Sequence, residues 1–470
     1  MDAKTAMTKD NVVTKTIHGV KWNYISVIVT SIFQLIHTAI ISRLLDPAAF
    51  GLLAMANIVL RFGVYFSRMG IGPALIQKPE VSDEDIRAGF TLSVGLGVIF
   101  SLIIILAAPL ARFLFDSREV IPVIRVYALT MLINGFSIVA ISLLRRRFRF
   151  RELFISELVS YFLGSIVVGI SMAYLGWGVW SLVYASITQG LVLTIMAYLF
   201  SKHSLRLLFS RQVFRPLLSF GSRVSVISFI EYLNYNLDTI FIGRFLGVSL
   251  LGLYSRAYQL VYLPTGKITT SISSVLLSSF SEIQRTIWKV KKAYLLSIEL
   301  LGLVIFPLTF SISGAAREIV LVILGDNWID SIQFLRIIAV SISFILLDNI
   351  NGVLLEAMGW LSAKIKLVIG RLILLSITLK FLFRYELYGI SFAVLITSII
   401  CYICDSYIAN KRLGQKKKEV FIIHSKIIVS GIVCLFCTRL ISWISYQMNV
   451  NLFVTLSLEI IVGIFVIIYC

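Results

Sequence analysis

"IISRLLDPAAFGLLAMA" (Ile40–Ala56) and "FIGRFLGVSLLGLYSRA" (Phe241–Ala257) are one phrase written twice. Ile41, Arg43, Leu45, Gly51, Leu52 and Ala56 recur as Ile242, Arg244, Leu246, Gly252, Leu253 and Ala257, each at an offset of 201 residues (242 − 41). Each copy joins two apolar runs through a short break, "DPAA" in the first and "LGVS" in the second. Such duplication of a membrane-spanning unit is the build of many transporters.

The chain around the repeat has 470 residues, of which 58% are hydrophobic and 14% charged, with a mean hydropathy of +0.93. A soluble domain carries about 25% charged residues, so the composition points to an all-α polytopic membrane protein. A spanning helix needs about 20 apolar residues. About fourteen such runs are found, near 20–45, 48–67, 88–110, 122–144, 153–175, 179–200, 217–244, 250–280, 293–313, 331–358, 363–383, 388–408, 426–443 and 452–469. The first is preceded by a polar stretch and is long enough to span by itself, so it reads as an uncleaved first helix. Six spans separate the two copies. Both therefore enter the membrane from the same side, giving parallel lobes related by an axis along the membrane normal. The expected layout is an N-lobe over 1–200, a cytoplasmic linker over 201–216, a C-lobe over 217–410, and a basic linker with two extra C-terminal helices over 411–470.

The net charge of +19 does not imply nucleic acid. Lys and Arg sit in short loops after the even-numbered spans, as in "RRRFRFR" (Arg145–Arg151) and at Lys411, Arg412, Lys416, Lys417 and Lys418. Basic loops mark cytoplasmic faces in contact with anionic membrane lipids, which predicts both termini in the cytoplasm. Cys401/Cys404 and Cys434/Cys437 form two CxxC pairs inside apolar runs. Thiolates are costly in lipid, so they read as packing residues and not as a metal site.

Charges inside the spans are the candidate functional groups, because each costs at least ~2.5–3.5 kcal/mol there. Span seven carries Arg223, Glu231, Asn234 and Asp238 within a narrow arc, and span one carries Ser26, Thr30, Gln34 and His37 likewise. The offset maps Thr30 onto Glu231 and His37 onto Asp238. Arg223 with Glu231 is open to a structural as well as a coupling reading. Arg61, Tyr65 and Arg68 share a face of span two, while Arg256 and Lys267 lie in register on span eight, on either side of Pro264. Spans ten and eleven add Asp348, Asn351, Glu356 and Arg371. Arg61, Arg256, Lys267 and Arg371 suit an anionic substrate, arginine through bidentate contacts and lysine as a point charge, while Arg68, near a cytoplasmic end, is open to that role or to snorkelling to the headgroups. Tyr65 and Tyr258 suit stacking or packing equally. The loop 314–330, with Arg317, Glu318, Asp326 and Asp330, reads as solvated. No GxxxxGK[ST] is present, so energy is expected from a gradient, with Glu231, Asp238, His37 and Arg223 as coupling candidates, His37 being equally open to a packing role.

"GIGPALIQKPEVSDEDIRAGF" (Gly70–Phe90) and "DTIFIGRFLGVSLLGLYSRAYQLVYLP" (Asp238–Pro264) resemble the signatures of Wzx-type polysaccharide-repeat flippases. These belong to the multidrug/oligosaccharidyl-lipid/polysaccharide exporter superfamily, and the likeness is to its colanic-acid exporter branch. It covers most of residues 17–283, and Ser278 departs from it where relatives often carry proline. The resemblance implies a non-enzymatic flippase of the bacterial inner membrane that needs no cofactor. By this resemblance it would move an undecaprenyl-pyrophosphate-linked oligosaccharide to the periplasmic leaflet; the parallel repeat adds the expectation of alternating access, H+ or Na+ is the expected coupling ion, and the polysaccharide polymerase machinery is a further expected partner. A drug antiporter of the same superfamily is the alternative. A polymerase or ligase fits less well, because the outer loops are short.

Overall fold

The computed structural model describes residues 22, 25–26, 29–68, 70–78, 80–209, 214, 225, 229, 232–233 and 236–469. Every regular element among them is helical. Apart from short helices such as Ile71–Gln77, these are in chain order α1 (Val29–Leu44), α2 (Pro47–Arg68), α3 (Asp83–Phe115), α4 (Val120–Arg146), α5 (Phe150–Tyr174) and α6 (Val179–Ser201). They are followed by α7 (Leu237–Phe245), α8 (Val248–Ile283), α9 (Ile287–Gly314), α10 (Ser331–Ala357), α11 (Leu361–Leu382), α12 (Glu386–Leu413), α13 (Lys417–Gln447) and α14 (Leu452–Tyr469). The fourteen helices follow the order of the fourteen apolar runs. The protein is therefore an all-α, multi-pass membrane protein.

The repeat is kept to the residue. α1 ends at Leu44 and α7 at Phe245, while α2 begins at Pro47 and α8 at Val248; both boundaries are 201 apart (245 − 44 and 248 − 47). Burial repeats as well. Ile41, Ile242, Ala56 and Ala257 are fully buried, whereas Arg43 and Arg244 are exposed. The chain divides into two compact units, Met1–Asn236 with Gly243–Val248, and Leu237–Ile242 with Ser249–Cys470.

In the first unit, Gly51 sits so close to the chain that a Cβ there would lie 1.9 Å from the carbonyl oxygen of Val248. α5 opens into a π-helical stretch over Phe162–Gly169. At its start, a Cβ on Gly164 would lie 2.6 Å from the backbone nitrogen of Gln189 on α6. Small residues permit such approach where packing, and not water exclusion, joins helices.

The polar turn before α3 is a capping structure. Ser82 Oγ accepts from the amide of Asp85 at 3.2 Å, and the Asp85 carboxylate accepts from the Ser82 amide at 3.0 Å. Lys78 pairs with Asp85 at 2.6 Å. The basic run after α4 serves backbone carbonyls in the same way. Arg146 Nη1 donates to the carbonyls of Leu75 and Ile76, both at 3.0 Å, and of Lys78 at 2.5 Å. Arg147 and Arg149 donate to the carbonyls of Ser201 and Phe200 at the end of α6, at 3.2 and 2.7 Å. Arginine thus satisfies carbonyls that helix ends leave without partners.

Beyond α6 the chain runs without regular structure over 202–209, against α3. The Leu208 amide donates to Thr91 Oγ1 at 2.8 Å. His203 is buried, its ring 5.5 Å from Phe90 and 5.6 Å from Tyr198. That burial, with the Arg147 charge adding to it, holds the imidazole below the usual histidine range.

In the second unit α13 packs tightly on α9, where a Cβ on Gly302 would lie 2.4 Å from Ile427 and one on Gly314 1.9 Å from Thr438 Oγ1. The segment expected as a solvated loop keeps Arg317, Asp326 and Asp330 exposed, but it is folded and buries Glu318. Ala316–Ile319 is α-helical, Val320–Leu324 is π-helical, Trp328 is fully buried and Glu318 is buried. Its apolar residues and the hydroxyl of Ser442, which donates to Glu318 at 2.7 Å, account for the difference.

Two outcomes follow from this packing. Gly51→Leu must displace backbone and should cost about 1–3 kcal/mol, whereas Gly95→Ala, with nothing within 4 Å, should leave thermal stability in detergent unchanged or raised. The segment 202–209 should loosen in acid. A histidine with a lowered folded-state pKa stabilises fully above its unfolded value of about 6.5 and loses that contribution as pH falls toward the folded value. Amide exchange at 202–208, corrected for intrinsic rates, should therefore accelerate as pH drops below that value, and His203→Phe should abolish the acceleration.

Candidate functional site

Asp238, on the first turn of α7, is 6% exposed. Its Oδ1 accepts from the Thr239 amide at 2.7 Å, and its Oδ2 accepts from the phenol of Tyr254 on α8. One carboxylate thus gathers donors from two helices, as a buried charge requires. Two residues beyond Tyr254, Arg256 is 9% exposed and donates through Nη1 to Gln259 Oε1 at 2.8 Å. Tyr258 and Tyr262 stack on the same helix, with centroids 5.7 Å apart at 22°. α8 runs unbroken through Pro264.

A second polar group lies across α9–α12. Arg371 on α11 donates to the carboxylate of Asp348 on α10, and to Asp405 Oδ2 on α12 at 3.4 Å. Asn351 Nδ2 donates to Asp348 Oδ1 at 2.9 Å, and Tyr294 on α9 donates to Asn351 Oδ1 at 2.7 Å. The three ionisable groups sum to one negative charge when all are ionised. Their surroundings are apolar helices, so the group is held by its own ion pairs and hydrogen bonds. This is chemistry suited to ion coupling. Sequence reading found Asp348, Asn351 and Arg371 but not Asp405. The signal available was a single aspartate in an otherwise apolar run. Arg371, expected to face an anionic substrate, is held between carboxylates.

In the first unit His37 meets Tyr161 edge to face, with centroids 5.8 Å apart at 82°. It also lies beside the π-helical stretch, its Nε2 being 3.7 Å from the place of a Cβ on Gly169. π-Helical turns recur at functional sites. Arg61 is exposed and Tyr65 is half-buried, its ring 5.9 Å from Tyr232. The Tyr65 carbonyl accepts from Ser225 Oγ at 2.7 Å. Arg223 and Glu231 lie outside the described residues, as do the side chains of Arg68 and Lys267.

Arg371→Met would leave two buried carboxylates without their counter-charge, a loss of about 3–5 kcal/mol. The thermal midpoint in detergent should fall accordingly. Adding Asp348→Asn and Asp405→Asn to that variant should recover most of the loss.

The family model described as polysaccharide biosynthesis protein matches residues 40–333 and so spans both copies of the repeat. The chain is 25% identical over 332 residues to the lipopolysaccharide biosynthesis protein WzxC of Escherichia coli (strain K12), covering 69% of this chain and 66% of that protein. It is 27% identical over 326 residues to the succinoglycan biosynthesis transport protein ExoT of Rhizobium meliloti (strain 1021), covering 69% and 65%. The match thus spans slightly less than two thirds of either relative. Among solved structures, the lipid II flippase MurJ in an inward closed conformation superposes with a TM-score of 0.71 at 14% identity, covering 96% of this chain and 97% of that one. An inward-facing multidrug resistance MATE family transporter of the MOP superfamily superposes with a TM-score of 0.62 at 18% identity, covering 81% and 94%. These likenesses bear out the fold and the resemblance drawn from Gly70–Phe90 and Asp238–Pro264. The chain belongs to the polysaccharide biosynthesis protein family.

Proposed function

We propose that this protein is a flippase and not an enzyme. It moves undecaprenyl-pyrophosphate-linked oligosaccharide repeats from the cytoplasmic to the periplasmic leaflet of the bacterial inner membrane, with both termini in the cytoplasm. The observation that carries the reading is a buried arginine, Arg256, beside a tyrosine stack on an apolar helix, in a chain of this family. A pyrophosphate cannot enter hydrocarbon without its charge being met, since burying a bare ion costs tens of kcal/mol in the Born limit. A guanidinium meets it with paired N–H donors, and tyrosine faces suit sugar rings. In this reading Arg61, Arg68, Arg256 and Lys267 receive the headgroup, and alternating access carries it across. The relatives WzxC and ExoT, named for polysaccharide biosynthesis and transport, support this substrate class.

Coupling is assigned to the buried carboxylates, Asp238 foremost, with H+ or Na+ as the driving ion. The membrane potential supplies about 2.3 kcal/mol per charge per 100 mV. Asn in place of Asp238 keeps the size without the charge: its Oδ1 can accept from the Thr239 amide while its Nδ2 donates to the Tyr254 hydroxyl, so it separates coupling from folding.

Deletion of the gene in its host should trap lipid-linked repeats on the inner leaflet; finished repeats accumulating on the outer leaflet would refute the reading. In vesicles, Arg256→Ala should lower flipping at least tenfold at unchanged protein level, a loss of about 1.4 kcal/mol or more. Asp238→Asn should flip at a rate independent of the imposed ion gradient, and full gradient dependence in that variant would remove Asp238 from the coupling role.

A further inference from the structure

Glu459 stands midway along α14, a helix with no other charged residue. It is 1% exposed, and neither carboxylate oxygen has a hydrogen-bond partner. No ion pair within 4.0 Å of it is found among the described residues. One turn further on, a Cβ on Gly463 would lie 3.1 Å from Ser311 Oγ of α9, a hydroxyl that is itself buried and without a partner. Glu318, on the short helix Ala316–Ile319, is 2% exposed. Its Oε1 accepts from Ser442 of α13 while its Oε2 has no partner. The charges that bear on Glu459 are Glu318 and, from α13, Arg439. Arg336 of α10 belongs to the same neighbourhood and donates through Nη1 to Gln333 at 3.2 Å.

Four buried oxygens of the second unit, from Ser311, Glu318 and both sides of Glu459, thus lack a donor. The arginines act on these carboxylates from a distance and donate to neither of them. A carboxylate sealed from water with no donor is stable only with a cation directly on its oxygens. We propose that Glu459 and Glu318, with Ser311, form a binding site for one small monovalent cation, H+ or Na+, that fastens α14 to α9 and α13. The site is separate from the Asp348–Arg371–Asp405 group, and its test reads binding and not flipping.

The test uses the purified full-length protein in lipid nanodiscs. Infrared difference spectra are recorded between acid and alkaline buffers, with choline or with Na+ as the only added cation. A carboxylic-acid band present in the wild type and absent in Glu459→Gln supports the site with the proton as its ligand. The same band suppressed by Na+ but not by choline supports it with Na+ competing for the same oxygens. A spectrum unchanged by Glu459→Gln in both media overturns the proposal. Should that variant not fold, Glu318→Gln is measured in its place, since its amide oxygen still accepts from Ser442. Removal of its negative charge should weaken cation binding at Glu459 about tenfold, the equivalent of one pK unit, and an unchanged midpoint would equally overturn the site.

Discussion

A charge within apolar helices must be met by protein, because hydrocarbon offers it no water. Arg371, held between Asp348 and Asp405, is the centre of that constraint in the second unit. Its two carboxylates come from α10 and α12, and its own helix is α11, so the ion group fixes three helices against one another. Tyr294 extends the group to α9 through Asn351. Hydrophobic burial cannot supply this specificity, since lipid tails are as apolar as leucine. Small residues set how closely helices approach, as at Gly302 and Gly314 against α13, and polar groups set which faces meet.

The same constraint works on the backbone at helix ends. Arg146 satisfies three carbonyls of the chain leading to α3, and Ser82 with Asp85 satisfies the first amides of α3 itself. Arg147 and Arg149 close the end of α6. The positive-inside pattern and the capping role are compatible, because an arginine near a membrane surface can bind a helix C-terminus and carry topology information together. Within the run Arg145–Arg151, whose charge carries the expectation of a cytoplasmic face, Arg146, Arg147 and Arg149 therefore act as a structural clamp.

Much of the fold was legible in the sequence, and the reason is local. Hydropathy over 20 residues records a span whatever its neighbours are, and the repeat places the α1–α2 and α7–α8 breaks at one offset. The family likeness rested on short segments whose residues turn out to cap, to turn and to approach closely. What could not be read was pairing across long separations. Asp348 and Asp405 lie in different helices, and nothing in either run marks them as partners of Arg371. Glu318 was misread because a stretch with four charges between spans looks solvated, whereas Ser442, far along the chain, takes its carboxylate inward. Glu459 is a single letter in an oily run, and only the packing of α14 makes its isolation visible.

The two copies of the repeat keep their scaffold and divide their chemistry. At the same offset Asp238 corresponds to His37 and Tyr254 to Leu53, so both partners of the second copy's hydrogen bond are absent from the first. Arg256 corresponds to Met55 and Gln259 to Ile58, both buried apolar residues, so that pair too is confined to the second copy. Changing one member of such a pair alone would bury an unmatched polar group at about 1–3 kcal/mol; partners are therefore present together or absent together. Ile41 with Ile242 and Ala56 with Ala257, which only pack, are unchanged and fully buried in both copies. Packing positions keep the duplication recognisable, while the paired polar positions give the second unit the charge that the first copy of the motif lacks.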